Sequence, residues 1–107
     1  MEELSNSVID TRFKINVNMQ PLDGYHLGNT EWEAMVFTQM GTRRKTFKKD
    51  DCVKVDEDNY IVPIDSAELG AGKYYITLTV YIPDSDFADG FRKEKRTGFT
   101  GVTIDAR

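Results

Sequence analysis

The stretch of sequence that decides the fold runs from Asn59 to Arg92 and reads NYIVPIDSAELGAGKYYITLTVYIPDSDFADGFR. Within it, the segment Lys73–Ile82 alternates large apolar residues with lysine, tyrosine and threonine, and a period of two is typical of a β-strand. The segment Tyr60–Ile64 alternates in the same way. Its Pro63 has no N–H group to donate to a neighbouring strand, which predicts a position at a sheet edge or at a bulge.

One helical turn is predicted between these two strands. Asp65 or Ser66 can cap its amino end, Glu68 is placed for a capping box, and Gly70 suits its exit. The order of strand, capped turn, long strand and acidic loop predicts an antiparallel β domain.

Alternation outside this stretch predicts further strands. They are Thr11–Met19, Glu31–Gln39, Arg43–Lys49, Cys52–Val55 and Phe91–Ile104, the last being a strand pair or one strand bent at Gly98 and Gly101. The expected fold is all-β: a single antiparallel β-sandwich, immunoglobulin-like, with about seven strands and one short helical turn. Residues 11–107 are expected to form this domain, and residues 1–10 a flexible N-terminal segment.

The expected core consists of the apolar side chains on the inward faces of these strands and in the helical turn. They are Phe13, Ile15, Val17, Trp32, Val36, Val53, Val55, Tyr60, Val62, Ile64, Leu69, Ile76, Leu78, Val80, Val102 and Ile104. Turn chemistry is expected at Gln20–Gly24 and at the acidic run Asp56–Asn59.

Composition limits the function classes. The chain has 107 residues and a net charge of -4, so its overall field repels nucleic acid. No segment approaches the roughly 18 apolar residues of a membrane span. Residues Met1–Ser7 have neither the basic start nor the apolar run of a signal peptide, which predicts a cytoplasmic protein.

Three acids in one loop, Asp84, Asp86 and Asp89, are the best candidates for a metal site, because carboxylates at short spacing suit Ca²⁺. Their spacing differs from that of an EF-hand, and no bidentate glutamate follows. The alternative is that these side chains accept hydrogen bonds from turn N–H groups. We expect turn chemistry here, and neither a metal nor any other cofactor.

A basic patch lies in the middle of the chain. It consists of Arg43, Arg44, Lys45, Lys48, Lys49 and Lys54. Alternation along a strand splits these cations between two faces, so a charged edge strand is the expected structure. A nucleic acid or an acidic protein partner is the alternative.

An enzyme is not expected, and we predict no catalytic residue. The only histidine, His26, lies in a loop-like stretch, and the only cysteine, Cys52, stands beside Val53 as a small buried side chain. A single cysteine also excludes an internal disulfide.

The strands with two apolar faces are the stronger functional indication. Met35, Phe37, Tyr75 and Tyr81 lie opposite the faces assigned to the core. Cross-strand packing explains such residues, and so does a protein-contact surface.

The pieces DNYIVPID at 58–65, ELGAG at 68–72, YIPDSDFADGFR at 81–92 and TGFTG at 97–101 carry a resemblance to a known group of proteins. They resemble small immunoglobulin-like β-sandwich proteins from prophages of gut anaerobes, which are similar to N-terminal domains of phage baseplate and tail-fibre proteins. The run WEAMVFT at 32–38, with the basic strand after it, fits the same layout.

The resemblance implies a non-enzymatic structural or adaptor module of a phage-type tail or baseplate. Such a module acts through sheet faces and edges, by self-association or by contact with other tail components, in the cytoplasm during assembly and then in the virion. The alternative is a β-sandwich that binds carbohydrate or another ligand, with Trp32, Tyr75 and Tyr81 available to stack on sugar rings.

Overall fold

The structure, a computed structural model, describes residues 7–19 and 24–106. The strands in chain order are β1 (Ser7–Val8), β2 (Arg12–Asn18), β3 (Glu31–Thr38), β4 (Arg44–Lys48), β5 (Val53–Asp56), β6 (Asn59–Asp65), β7 (Gly72–Pro83) and β8 (Phe91–Asp105). A short α-helix, α1, spans Ser66–Leu69, and single 3-10 turns span Leu27–Asn29 and Lys49–Asp51. The predicted all-β fold is confirmed.

Two sheets form the sandwich. The larger sheet has the order β1-β8-β7-β3-β4, and the smaller sheet has the order β2-β6-β5. All pairs are antiparallel except β1 with β8, which is parallel and joins Ser7 and Val8 to Ile104 and Asp105. This is the arrangement of an immunoglobulin-like sandwich. Strands β2, β6 and β5 take the places of strands B, E and D, and strands β8, β7, β3 and β4 take those of G, F, C and C′.

Two aromatic pairs join the sheets across the core. Phe13 of β2 meets Tyr74 of β7 at a ring-centroid distance of 5.2 Å, and Trp32 of β3 meets Tyr60 of β6 at 4.9 Å. Both pairs are edge-to-face, the geometry that the ring quadrupole favours. The Trp32 indole donates to the carbonyl of Leu27 at 3.1 Å, so its one polar atom is satisfied inside the core.

Most of the expected core is confirmed, but two of its members are wrong. Val53 and Val55 are 58% and 55% exposed, because β5 is the edge strand of the smaller sheet and all its residues lie open to solvent. Among the described residues, six buried apolar side chains are missing from the expected core. They are Met19, Leu27, Ala34, Phe47, Tyr74 and Ile82.

The connection from β6 to β7 is the predicted capped helical turn, except that the Glu68 carboxylate forms no capping box and pairs with Lys45 Nζ at 2.8 Å. The Asp65 carboxylate accepts a hydrogen bond from the N–H of Ala67 at 3.0 Å, and Gly70 ends the helix with φ of 92°. This N–H group and the Arg12 guanidinium hold the pKa of the Asp65 carboxyl below its ordinary value. Strand β5 begins with Val53 opposite Ile61 and does not extend along β6 as far as Pro63. Pro63 therefore has a neighbouring strand, β2, on one side only.

The last predicted region is one strand, not a pair. Strand β8 continues from Phe91 to Asp105, with Gly101 at φ of 86° where its register against β7 shifts. Most of the predicted turn at Gln20–Gly24 lies outside the described residues, as do Met1–Asn6 and Arg107. The predicted domain boundary at residue 11 stays a prediction, although β1 falls before it.

Candidate functional site

The four residues singled out as contact candidates lie on one surface. Strands β3 and β7 pair in the register Phe37↔Tyr75 and Glu31↔Tyr81, and side chains two residues apart in a strand share a face. Met35, Phe37, Tyr75 and Tyr81 therefore all project from the side of the larger sheet that faces away from the core. We call this side the outer face.

A row of aromatic rings crosses the outer face at one end. Phe37 and Tyr75 are stacked with centroids 5.9 Å apart, and Tyr75 meets Phe99 of β8 at 5.3 Å. The guanidinium carbon of Arg44 on β4 lies 5.6 Å from the Phe37 ring centroid. The aromatic row, Arg44–Phe37–Tyr75–Phe99, thus takes one residue from each of four strands.

Phe99 is the member that sequence reasoning missed. Its ring is half exposed, whereas Phe37 and Tyr75 are partly covered by their neighbours. The sequence predicts a break or a bend of the last strand at Gly98 and Gly101, and a phenylalanine between two glycines carries no period. The pairing of Phe99 with Tyr75 depends on the register shift in β8.

A polar cluster occupies the other end of the outer face. The Tyr81 hydroxyl donates to Oε1 of Glu33 at 2.6 Å, and Lys48 Nζ lies 3.5 Å from Oε2 of the same carboxylate. The hydrogen bond from Tyr81, followed by the charge of Lys48, lowers the pKa of Glu33 despite the cost of burial. The same bond raises the pKa of Tyr81. Lys93 Nζ lies 5.8 Å from the Tyr81 ring centroid.

Uncharged side chains separate the two ends. The hydroxyls of Thr77 and Thr97 are 2.8 Å apart across β7 and β8, and Met35 lies beside them on β3. The outer face is therefore apolar and aromatic at one end, whereas at the other end charged side chains surround a second ring pair, Tyr81 and Phe91, with centroids 6.3 Å apart.

The acidic loop between β7 and β8 is organised by turn hydrogen bonds. Asp84 Oδ1 accepts from the N–H of Asp86 at 3.0 Å, and Asp89 Oδ1 accepts from the N–H of Phe91 at 3.1 Å. The Oδ2 atom of Asp84 also lies 3.7 Å from Nη1 of Arg92. Among the described residues, no three His, Cys, Asp or Glu side chains are grouped in a way that could hold a metal ion.

The basic patch is dispersed, as alternation predicts. Arg44 and Lys48 stand on the outer face, while Lys45 projects to the other side beside Val36. Most of the cations have partners: Lys45 with Glu68, Lys48 with Glu33, Lys54 with Glu57, and Lys49 with the carbonyls of Gly28 and Thr30.

His26 has a partner that the sequence did not reveal. Its Nδ1 atom lies 2.7 Å from Oδ1 of Asp58, which ties the loop before β3 to the hairpin of β5 and β6. Cys52 is partly buried against the core, and burial, with the charge of Asp51, raises the pKa of its thiol to about 11. A thiol with this pKa is a weak nucleophile at neutral pH.

Trp32 is not available to stack on a ligand. Its side chain is 2% exposed, so the carbohydrate alternative retains Tyr75 and Tyr81 of the three rings first considered for it. In the part of the chain that the structure describes, no helix is both long and apolar enough to cross a membrane.

Comparison with known proteins does not assign this chain to a family. No family model matches it, and neither a curated protein nor a solved structure does. The argument for function therefore rests on the surfaces of the fold.

Proposed function

We propose that this chain is a non-enzymatic structural or adaptor module that binds protein through its outer face, as part of a phage-type tail or baseplate. The aromatic row Arg44–Phe37–Tyr75–Phe99 is the observation that supports it most. Aromatic and arginine side chains are enriched at protein interfaces and form most of their energetic hot spots. The assignment to a tail or baseplate is supported by the sequence resemblance alone.

The aromatic row is already ordered in the free protein. Each ring is packed on the next, and Arg44 lies over Phe37. A partner that covers these rings does not have to immobilise them, and this lowers the entropic cost of binding.

A second copy of the chain is the first partner to consider. The charges of Glu33, Lys48 and Lys93 stand at the end of the outer face opposite the aromatic row. A two-fold axis near Tyr75 would bring two aromatic rows together, each with its Arg44 lying over a ring, and would leave Glu33, Lys48 and Lys93 in solvent at the outer ends.

Light scattering after size-exclusion chromatography, over a concentration series, tests this proposal. The wild-type chain is expected to form a defined oligomer that Phe99→Glu and Phe37→Glu dissociate. Phe87→Glu is the matched control, because Phe87 is 50% exposed like Phe99 but lies in the loop between β7 and β8. Charge substitution at Met35 is also expected to weaken association without unfolding the domain.

Two outcomes contradict the proposal. One is a wild-type chain that stays monomeric at the highest concentration, which would overturn self-association and require a different protein partner for the outer face. The other is unfolding of Phe37→Glu and the Met35 variant in circular dichroism, which would place these side chains in the core.

Carbohydrate binding is the second candidate. The half-exposed ring of Phe99 beside the partly covered ring of Tyr75 is the observation that favours it, since flat rings stack on sugars. A glycan-array screen with the wild-type chain and Tyr75→Ala distinguishes the two: binding lost in the variant supports the ligand-binding alternative.

A further inference from the structure

The side of the sandwich between β2 and β8 carries two strand edges. Strand β2 pairs only with β6, and β1 covers β8 only at Ile104 and Asp105 within residues 7–19 and 24–106. The backbone of β8 from Phe91 to Thr103 therefore has a neighbouring strand on one side, β7, in the described part of the chain. Such an edge can pair with an added strand.

A groove of about 290 Å³ lies between these two edges. Ile15 and Val17 of β2 and Ile76 and Leu78 of β7 contribute its apolar lining, and Arg96 and Gly98 of β8 border it. Gly98 is opposite Ile76 in the ladder, so no side chain of β8 covers that isoleucine. We call this groove, with the adjoining edge of β8, the open side.

The edge of β8 beside the groove carries more cations than acids. The segment 92–96 of β8 reads RKEKR, four cations and one acid, in a chain whose net charge is -4. Arg96 makes no ion pair with any residue that the structure describes. Lys93 and Lys95 project from the outer side of the same strand, opposite Tyr81 and Thr79.

A second copy of the chain does not suit this edge. Two β8 strands paired side by side would place the segment RKEKR beside itself, and like charges opposite one another destabilise a strand pair. An acidic strand would gain from the same cations, and it would be steered towards them over other partners.

We propose that the open side binds an extended acidic segment of a partner protein, which adds a strand to the edge of β8. In such a strand, alternate side chains point to opposite faces. Apolar residues at every second position would enter the groove over Ile15 and Ile76, and the acids between them would lie beside Lys93 and Lys95. This inference goes beyond the proposed function, because it concerns a second surface and a chemically different partner.

The probe for this site is an alternating Val–Glu peptide of about six residues, the usual length of a strand, with both ends blocked. A Val–Lys peptide of the same length is the comparison. An NMR titration of the full chain is expected to shift amide signals of β2 and β8 with the first peptide and not with the second. Raising the salt concentration should weaken this binding.

Gly98→Leu is the decisive variant. A Cβ atom at Gly98 meets nothing within 4 Å, so the larger side chain fits the fold and fills the groove. We expect at least about tenfold weaker peptide binding, because the leucine occupies the space of an apolar anchor. Arg96→Glu should weaken binding similarly, and Arg43→Glu, before the β4 edge on the opposite side of the sheet, is its matched control.

Several results would overturn the proposal. They are equal binding of the Val–Glu and Val–Lys peptides, absence of binding, or unchanged binding by a folded Gly98→Leu variant. Slow hydrogen exchange of all amides from Lys93 to Gly98 in the free chain would also overturn it, since the edge would already be covered. Phe37→Glu, which tests the outer face and does not line the groove, should leave peptide binding unchanged, so the two proposals fail separately.

Discussion

The Tyr74 hydroxyl donates a hydrogen bond of 2.6 Å to the carbonyl oxygen of Gly70, four residues before it. Tyr74 is fully buried, and Gly70 adopts φ of 92° at the end of α1. A tyrosine at the start of strand F that bonds back to the chain entering it is the tyrosine corner of immunoglobulin-like sandwiches. The bond joins the helical turn to β7, and burial raises the pKa of the hydroxyl.

Tyr74→Phe tests this corner. Removing the hydroxyl leaves the buried Gly70 carbonyl without its partner, so the free energy of unfolding should fall by about 1–3 kcal/mol. Tyr75→Phe is the matched control, because the neighbouring ring lies on the outer face, and its effect should stay within about 0.5 kcal/mol. Urea denaturation followed by circular dichroism measures both, and equal losses would contradict the assigned role.

Glu33 should make stability depend on pH. Its pKa is lowered from 4.5 in the folded chain, chiefly by the Tyr81 hydrogen bond. Its contribution is therefore present above the ordinary pKa and is lost as pH falls through the folded value. Glu33→Gln should be less stable than wild type at neutral pH, and the difference should shrink on acidification. Thermal unfolding at several pH values measures this, and a difference that grows at low pH would show the opposite sign.

Tyr81→Phe tests whether the hydrogen bond from Tyr81 causes the stabilising contribution of Glu33. Without the phenol hydroxyl, the carboxylate loses its main stabilising donor, so Glu33→Gln should cost less in this background than in wild type. Equal costs in both backgrounds would show that Lys48, not Tyr81, is responsible.

Cys52 should react slowly with alkylating reagents in the folded chain. Burial and Asp51 raise the pKa of its thiol to about 11, so little thiolate forms at pH 8. The rate with iodoacetamide should be roughly a hundredfold or more below that of a free cysteine. The guanidinium-denatured chain is the control and should react at the ordinary rate. If the alkylation rate of the folded chain rises with pH and levels off at about pH 8.5, the thiol has an ordinary pKa and the prediction is contradicted.

Truncation to alanine should lower the free energy of unfolding much more at Leu27 than at Val53. Leu27 is fully buried, and Leu27→Ala should cost about 2–5 kcal/mol of unfolding free energy. Val53 is 58% exposed, and Val53→Ala should cost no more than about 0.5 kcal/mol. Denaturant midpoints of the two variants decide this, and similar losses would mean that β5 is covered in solution.

Local features of the chain were predictable because their causes are local. The alternation in β7 follows from the pleat of a strand, so its inward and outward faces could be assigned without knowledge of any partner strand. The capped turn at Asp65 and Gly70 depends on side-chain oxygens and backbone freedom within a few residues. The contact candidates Phe37 and Tyr75 were found by the same reasoning.

Burial was less predictable where it depends on distant elements. Val53 alternates like a core residue, but β5 is an edge strand and its side chain is left in water. Leu27 belongs to an aperiodic loop, and its side chain is nevertheless fully buried as part of the hydrophobic core. Neither outcome can be read from the neighbouring residues, because each depends on which strands lie nearby.

By itself, the sequence determined every strand except β1, the faces of most of them and the capped turn, because these depend on interactions over a few residues. Only the tertiary structure decided that Phe99 joins Phe37 and Tyr75, and that β2 and β8 border an apolar groove. Strand order and register set these neighbours, and both are chosen by packing across the whole domain. The two proposed contact surfaces are assembled at that second level.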